Sequence, residues 1–255
     1  KSFYMEFLIE QVVLFCVSII ANGLSAMAGG GAGLLQFPAL LFLGLGFTVA
    51  LATHKVASVA LGVGATLRHI REKQLSLAFA SHILLFGLPG VILGALLILS
   101  VPDELAKQAL GVLTIALGLY SVFKPELGMT TTTKVFKRIH WLIGGLVLFL
   151  IGVLNGSITS GTGLFVTLWL VLWYGLEYQR AVAYTLILVG LFWNGVGALT
   201  LALQTEVKWS WVLPLVLGAL AGGYLGAHLS IAKGNKIVKR CFEVVTILVG
   251  VSLLV

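Results

Sequence analysis

Two glycine runs, each inside a stretch without charged residues, are the part of this chain best suited to bind an anion. The first is Gly-Gly-Gly-Ala-Gly at residues 29–33, and the second is Gly-Thr-Gly at residues 161–163. Glycine lets the backbone turn sharply and lets other groups approach it closely. A helix that begins after such a run offers unpaired N–H groups and a partial positive charge, which favour an oxyanion. Backbone groups freed inside a membrane need a partner, so the runs predict a binding site for a small anion.

Uncharged polar side chains lie close to both runs and offer further hydrogen bonds. Asn22 and Ser25 precede the first run, while Asn155, Ser160 and Thr162 lie at or before the second. Close helix packing explains any single serine, threonine or glycine equally well, because small residues are common where membrane helices touch. Both explanations therefore remain open for individual residues, whereas the two runs taken together favour a polar cavity.

Lys55 lies well inside an apolar segment, next to His54. A cation within a membrane segment is costly and usually functional, so we expect Lys55 to bind the anion; the alternative is that it snorkels to the interface. Thr53 and Thr185 stand one turn into matching segments and are expected to reach the same cavity. The predicted binding residues are Asn22, Ser25, Gly29, Gly30, Gly31, Gly33, Thr53, Lys55, Asn155, Ser160, Gly161, Thr162, Gly163 and Thr185, with Gln36, His54 and Asn194 as weaker candidates.

The composition predicts that membrane-spanning helices position these residues. Of the 255 residues, 59% are hydrophobic and 10% are charged, against roughly 25% charged in a soluble domain. Residues 11–54 and 139–176 contain no Asp, Glu, Lys or Arg. The net charge of +7 comes from basic residues in short loops, as the positive-inside rule describes, so nucleic acid is not an expected partner. No spacing typical of a metal or cofactor site is present, and we expect neither.

The chain divides into ten apolar segments, five in each half. A first repeat is expected over residues 1–123, a polar cytoplasmic link over 124–138, and a second repeat over 139–255. Segment two is short in each half, which predicts half-helices that begin at the glycine runs, because roughly 20 residues are needed to span a bilayer. The segments lie at 7–28, 33–46, 48–70, 77–100, 105–123, 141–158, 163–174, 178–203, 210–231 and 236–255.

The two halves resemble each other at a nearly constant shift of 130 to 133 residues. Asn22 matches Asn155, Thr53 matches Thr185, and a Gly-x-x-x-Gly pair recurs in the fourth segments, where helix contact is its expected role. The match of Lys55 is Ile187, so the site is expected to be asymmetric.

Loop charges predict that the two halves have opposite orientations in the membrane. Basic loops follow segment three of the first half and segment four of the second, whereas equivalent loops in the other half are acidic or balanced. An inverted-topology repeat gives this pattern. We therefore expect an all-α bundle of about 8–10 membrane segments, some short, broken or re-entrant, with both termini external.

At these residues the chain resembles the TauE/SafE sulfite exporter family, also called the toluene sulfonate uptake permease family. The resemblance covers nearly the whole chain. His54 departs from the asparagine common in the family, and the second glycine run lacks the full triple glycine. The matching residues are Ala28-Gly29-Gly30-Gly31-Ala32-Gly33, Pro38, Ala52-Thr53-His54-Lys55, Leu67-Arg68-His69-Ile70-Arg71, Gly161-Thr162-Gly163 and Ser230 to Lys236.

This resemblance implies a multi-pass protein of the bacterial inner membrane that moves sulfite, sulfonates or other small organic anions. Combined with the paired breaks, it predicts a secondary transporter that works by alternating access around one site. A proton or sodium ion is a possible coupling partner. The alternatives are an anion channel with the same half-helices and, much less well supported, an intramembrane enzyme.

Overall fold

The computed structural model describes residues 2–72, 75–97, 103–132, 136–157 and 162–254, and within these ranges the chain is helical and contains no strand. This confirms the all-α prediction. A 3-10 turn at Ile70–Glu72 follows α3, and a π-helix at Thr185–Trp193 joins α8 to α9. The helices are α1 (Ser2–Ala28), α2 (Gly33–Phe42), α3 (Phe47–His69), α4 (Leu77–Leu97), α5 (Asp103–Phe123), α6 (Arg138–Ser157), α7 (Thr162–Leu172), α8 (Tyr178–Tyr184), α9 (Asn194–Ala202) and α10 (Trp209–Leu254).

Six stretches of the described helices are long and apolar enough to cross a bilayer. The last of them has 44 residues, about twice what one crossing needs. It bends at Gly234, whose φ of 79° is not helical, so it supplies two spans joined by one residue. The chain is therefore a multi-pass membrane protein. The six stretches are Tyr4–Ala28, Phe47–His69, Leu77–Leu97, Arg138–Ser157, Tyr178–Ala202 and Trp209–Ser252.

Two helices are too short to span the membrane, and both begin at the glycine runs, as predicted. The α2 helix has 10 residues and α7 has 11, or roughly 15–17 Å at 1.5 Å per residue. The chain reverses between α1 and α2 because Gly29, Gly30 and Gly31 adopt φ values of 82°, 146° and 94°. Residues other than glycine rarely adopt such angles, which explains why three consecutive glycines stand there.

Helices of one half pack against helices of the other half. The first part of α10 packs on α1, and α4 packs on α6. A methyl group at Gly222 or Gly226 would collide with the backbone of α1, and one at Gly90 or Gly94 would collide with the backbone of α6. The expected contact role of both Gly-x-x-x-Gly pairs is thus confirmed. The first segment of each half thus packs on the fourth segment of the other half, which is the pairing that a twofold axis would produce. The division into inverted repeats itself stays a prediction.

The middle of the bundle is also built on direct backbone contact. The α3 helix packs on the π-helix, where Gly62 of α3 faces Gly190. A Cβ atom built on Gly190 would lie 3.0 Å from the Cα atom of Gly62. The two third segments therefore cross without intervening side chains, and this close crossing brings His54 on α3 and Thr185 on the π-helix to one place.

Candidate functional site

A small cavity lies where the two glycine runs meet. Its volume of about 40 Å³ has room for roughly three water-sized groups. Residues 160 and 161, two of the predicted ligands, lie outside the described part of the chain. Asn22, Gly29, Gln36, Thr53 and Lys55 do not line the cavity. The predicted residues that do line it are Ser25, Gly30, Gly31, Gly33, His54, Asn155, Thr162, Gly163, Thr185 and Asn194.

The two runs touch through their backbones. A Cβ atom built on Gly30 would lie 2.5 Å from the backbone nitrogen of Leu164, and one on Gly163 would lie 2.9 Å from the Cα atom of Gly30. Real Cβ atoms do not approach other atoms so closely. Glycine is therefore required at the crossing, and the start of α7 lies directly against the turn that leads into α2.

Both short helices point their N-termini at the cavity. Gly33, the first residue of α2, and Thr162 and Gly163, the first residues of α7, contribute to its lining. The first turn of a helix has N–H groups without an intrahelical acceptor and a partial positive charge. At α2 the N-cap residue, Ala32, makes no side-chain hydrogen bond to these groups. The predicted pair of converging helix N-termini is present.

Three lining residues hold buried polar atoms that have no hydrogen-bond partner among the described residues. These atoms are Oγ of Ser25, Nδ1 of His54 and Oδ1 of Asn194, and the three side chains are almost completely buried. A buried polar atom without a partner costs about 1–3 kcal/mol. The cavity wall therefore carries hydrogen-bonding groups that the described residues leave available.

Lys55 reaches the edge of this site from α3. Its side chain is 0% exposed, and its Nζ atom donates a hydrogen bond to Oδ1 of Asn155 at 3.2 Å. The same amide donates through Nδ2 to the hydroxyl of Thr162 at 3.0 Å. Lys55 thus does not snorkel to the interface. It lies behind the cavity wall and fixes the orientation of an amide that lines the cavity.

The ammonium group of Lys55 has no counter-ion in the described structure. No carboxylate oxygen of a described side chain lies within 4.0 Å of its Nζ atom. Space for the end of the side chain comes from Gly197, where a Cβ atom would lie 3.3 Å from Nζ. Among the described side chains, a protonated Lys55 would therefore have no negative partner beside the cavity.

Lys239 shows what a lysine with a structural role looks like in the same molecule. Its Nζ atom donates to the carbonyl oxygens of Ser121, Lys124 and Leu127 near the end of α5. It also lies 3.7 Å from a carboxylate oxygen of Glu243. Three acceptors and a counter-ion satisfy this charge and close the C-terminal end of a helix, whereas the described residues give Lys55 one acceptor and no counter-ion.

The two matched threonines have different surroundings. Thr185 lines the cavity, and its hydroxyl lies 2.9 Å from that of Thr167. Thr53 lies outside the cavity because its hydroxyl donates to the carbonyl of Val49 and accepts a hydrogen bond from the backbone N–H of Lys208. The expectation that both threonines reach the cavity is therefore corrected for Thr53, which instead joins α3 to the loop before α10.

Asn22 and Gln36 form a separate polar cluster beside the cavity. Nδ2 of Asn22 donates to Oε1 of Gln36 at 2.7 Å and to the carbonyl of Ser18 at 2.7 Å. The hydroxyl of Ser18 donates to the carbonyl of Leu215 at 2.6 Å. Both amides were expected to contact the anion. The structure instead places Asn22 one turn before Ser25 on α1 and Gln36 one turn after Gly33 on α2, so neither amide lines the cavity.

Sequence reasoning missed two side chains and one backbone feature of this site. Thr167 donates to the carbonyl of Gly29 at 2.7 Å, which ties α7 to the first glycine run and explains the position of that glycine behind the cavity. Ser58 lines the cavity one turn after His54. The π-helix supplies Thr185 and three further lining residues, and short π-helical segments are frequent at functional sites.

Comparison with known proteins extends across almost the whole chain. Residues 14–253 match the family model described as sulfite exporter TauE/SafE. No solved structure matches the chain at a significant level.

Three similar proteins are bacterial and carry the name probable membrane transporter protein. One from Haemophilus influenzae is 31% identical over 89% of this chain and 88% of its own length. YfcA of Escherichia coli K12 is 30% identical over 95% of this chain and 88% of its own length. ORF9 of a Sinorhizobium species is 33% identical over 94% of this chain and 91% of its own length.

Proposed function

The chain belongs to the TauE/SafE sulfite exporter family of membrane transporters, and from this premise we propose that it is a secondary transporter of a small oxyanion. Sulfite and small sulfonates are the leading substrates, and other sulfur-containing or organic anions of similar size come next. The protein resides in the bacterial inner membrane as a multi-pass helical bundle. Transport would proceed by alternating access around the central cavity.

The observation that carries this proposal is the buried amino group of Lys55, beside which the described residues place no carboxylate. Removing a charge from water costs several kcal/mol unless a partner compensates it. One neutral amide oxygen, from Asn155, is a weak partner. An anion in the adjoining cavity would provide the missing counter-charge, and the attraction would be strong because little water separates the charges.

Direct contacts to the anion would come from the cavity wall. The N-termini of α2 and α7 offer backbone N–H groups, while Ser25, Thr162 and Thr185 offer hydroxyls. Lys55 would act from behind this wall, by its charge and by holding the amide of Asn155. The small volume of the cavity, about 40 Å³, and the uncharged donors in its wall suit a compact oxyanion.

Alternating access requires two parts that move against each other around the site. The exchanged packing of α1 on α10 and of α4 on α6 supports this proposal, because it gives two interfaces of similar construction, one on each pair of helices. Glycine-rich interfaces present smooth surfaces for such movement. The lining side chains are almost fully buried, as expected for a carrier caught between its open states.

The test begins with a thermal-shift screen of purified protein against sulfite, sulfate, thiosulfate, taurine, sulfoacetate and small carboxylates. A bound anion raises the unfolding temperature by mass action. Lys55→Met should then weaken binding of the best anion at least tenfold, about 1.4 kcal/mol. Methionine keeps the apolar stem and removes the buried charge, so the fold is expected to persist.

Lys239→Met is the matched control. It removes a lysine that bonds to three carbonyls, so it should lower stability and leave anion affinity within twofold of the original. Equal affinity of the original protein and Lys55→Met would contradict the proposed role of Lys55. In proteoliposomes, saturable exchange of anion against anion is expected, whereas single-channel currents would identify a channel.

A further inference from the structure

A row of polar side chains runs along one face of α1, away from the cavity. Its members are Gln11, Ser18, Asn22 and Ser25, at spacings of seven, four and three residues, which place them on one side of a helix. Three of them have a buried atom without a partner in the described structure, namely Nε2 of Gln11, Oδ1 of Asn22 and Oγ of Ser25. Only one end of the row, Ser25, lines the cavity.

The middle of the row has both a free donor and a free acceptor. Beside Oδ1 of Asn22, Nε2 of Gln36 also has no partner within the described part of the chain, and both side chains are 0% exposed. A water molecule satisfies such a pair, since it donates and accepts at once. Close packing alone does not account for unpaired groups in a membrane interior, where each costs free energy.

The far end of the row approaches a surface pocket of about 330 Å³. Glu6 and Glu10 of α1 and Lys208 and Trp211 at the start of α10 line this pocket. Apolar residues separate it from the polar cluster around Asn22. Leu14, between Gln11 and Ser18 on α1, belongs with Leu40, Leu215 and Trp211 to one buried apolar cluster.

We infer that the route between the cavity and the side of the membrane that carries residues 203–208 runs along this face of α1. Water and the small anion would pass Ser18, Asn22 and Gln36. Leu14, Leu40 and Leu215 close the route in the present conformation. The inference rests on the proposed transport function and adds to it the path by which the site communicates with one side.

The matching face of α6 does not repeat the row. A shift of 133 places Gly144 at the position of Gln11 and Ile151 at that of Ser18, and only Asn155 keeps its polar character. Ile151 is buried. The two halves therefore differ in the polarity of these faces, and Ile151 serves as a matched control for Ser18.

Cysteine accessibility tests the route. In a background with Cys16→Ala and Cys241→Ala, single Ser18→Cys, Ser25→Cys and Ile151→Cys variants are treated with 2-sulfonatoethyl methanethiosulfonate, a charged reagent that does not cross membranes. Glu206→Cys, at an exposed position, identifies vesicles whose accessible side carries residues 203–208. In those vesicles Ser18→Cys and Ser25→Cys should react at least tenfold faster than Ile151→Cys.

Three results would overturn the inference. Reaction at Ser25→Cys without reaction at Ser18→Cys would place the route elsewhere, and so would equal rates at Ser18→Cys and Ile151→Cys. Protection from reaction at both serine positions from this side would have the same meaning. None of these outcomes bears on anion binding, which the thermal-shift screen measures separately, so failure of the route is distinguishable from failure of the transport proposal.

Discussion

Asn22 and Asn155 hold matching places in the two halves, yet their side-chain amides have opposite environments. Asn155 accepts from Lys55 and donates to Thr162. Asn22 donates to Ser18 and Gln36 but leaves its Oδ1 atom without a partner in the described structure. The difference follows from one position, because the second half has Ile187 where the first has Lys55. The first half thus supplies both the buried lysine and the amide oxygen that lacks a described partner, whereas the asparagine of the second half is bonded through both of its amide atoms.

The largest expected loss of stability is at the contact between the two glycine runs, where Gly30 of the first half meets Gly163 of the second half. Gly30→Ala should destabilise the protein by more than about 3 kcal/mol, because φ is 146° there and the added methyl would meet the backbone of Leu164. Gly163→Ala has an ordinary φ, and its methyl would lie 2.9 Å from the Cα atom of Gly30 and 3.3 Å from the carbonyl oxygen of Gly29, so it should cost clearly less. Thermal unfolding in detergent measures both. Equal losses of stability in the two variants would contradict the expected contribution of backbone strain at Gly30.

The second prediction compares the two asparagines directly. Asn155→Leu leaves the Lys55 ammonium group without an oxygen and should cost about 3 kcal/mol, typical of a stranded buried charge. The double change Asn22→Leu with Gln36→Leu removes two unpaired atoms together with the bond between the amides, and should cost less than about 1 kcal/mol or even stabilise. Denaturant unfolding of both variants checks this order. A larger loss for the double variant would contradict the assigned environments.

The third prediction uses the matched threonines. Thr185→Val removes a hydroxyl from the cavity wall and should weaken anion binding by about 1 kcal/mol, roughly fivefold. Thr53→Val should leave the dissociation constant within twofold, because its hydroxyl contacts Val49 and Lys208 instead. Isothermal titration with the best anion of the screen measures both constants. If Thr53→Val weakened anion binding and Thr185→Val did not, the anion would bind somewhere other than in this cavity.

The smallest expected effect is that of Ser25→Ala on the free energy of unfolding. The sign of this change shows whether the Ser25 hydroxyl has a structural partner. Because the Ser25 hydroxyl is buried without a partner among the described residues, Ser25→Ala should keep or raise stability, by up to about 1 kcal/mol, while anion binding weakens. Ser18→Ala is the control on the same helix, since its hydroxyl bonds to Leu215 and its loss should lower stability. Lowered stability in both variants would mean that Ser25 has a structural partner.

Much of the fold was predictable because the length of an apolar stretch indicates the length of a membrane helix. Uninterrupted apolar stretches set the spans, and glycine runs within them set the starts of α2 and α7. The same glycines located the cavity, since only they permit two backbones to touch. Fold class, segment bounds and most of the cavity lining could therefore be read from residue types and spacing.

The remaining details depend on rotation and on distant contacts, which spacing does not encode. A repeat match fixes how deep Thr53 lies along α3, but its hydroxyl is engaged by Lys208, 155 residues away. The π-helix at Thr185–Trp193 has no sequence signature and turns that segment differently from an α-helix. Whether Lys55 faced lipid, the interface or Asn155 likewise depended on a residue 100 positions distant.

The contact between Gly30 and Gly163 also limits how this protein can change over time. When a side chain grows in an ordinary core, a neighbour can shrink to accommodate it. Here the two glycines face each other, and the atoms that a methyl group at either position would collide with belong to the backbone. A substitution at either glycine therefore has no compensating substitution at the other, so both positions are closed to the stepwise exchange by which most contacts diverge.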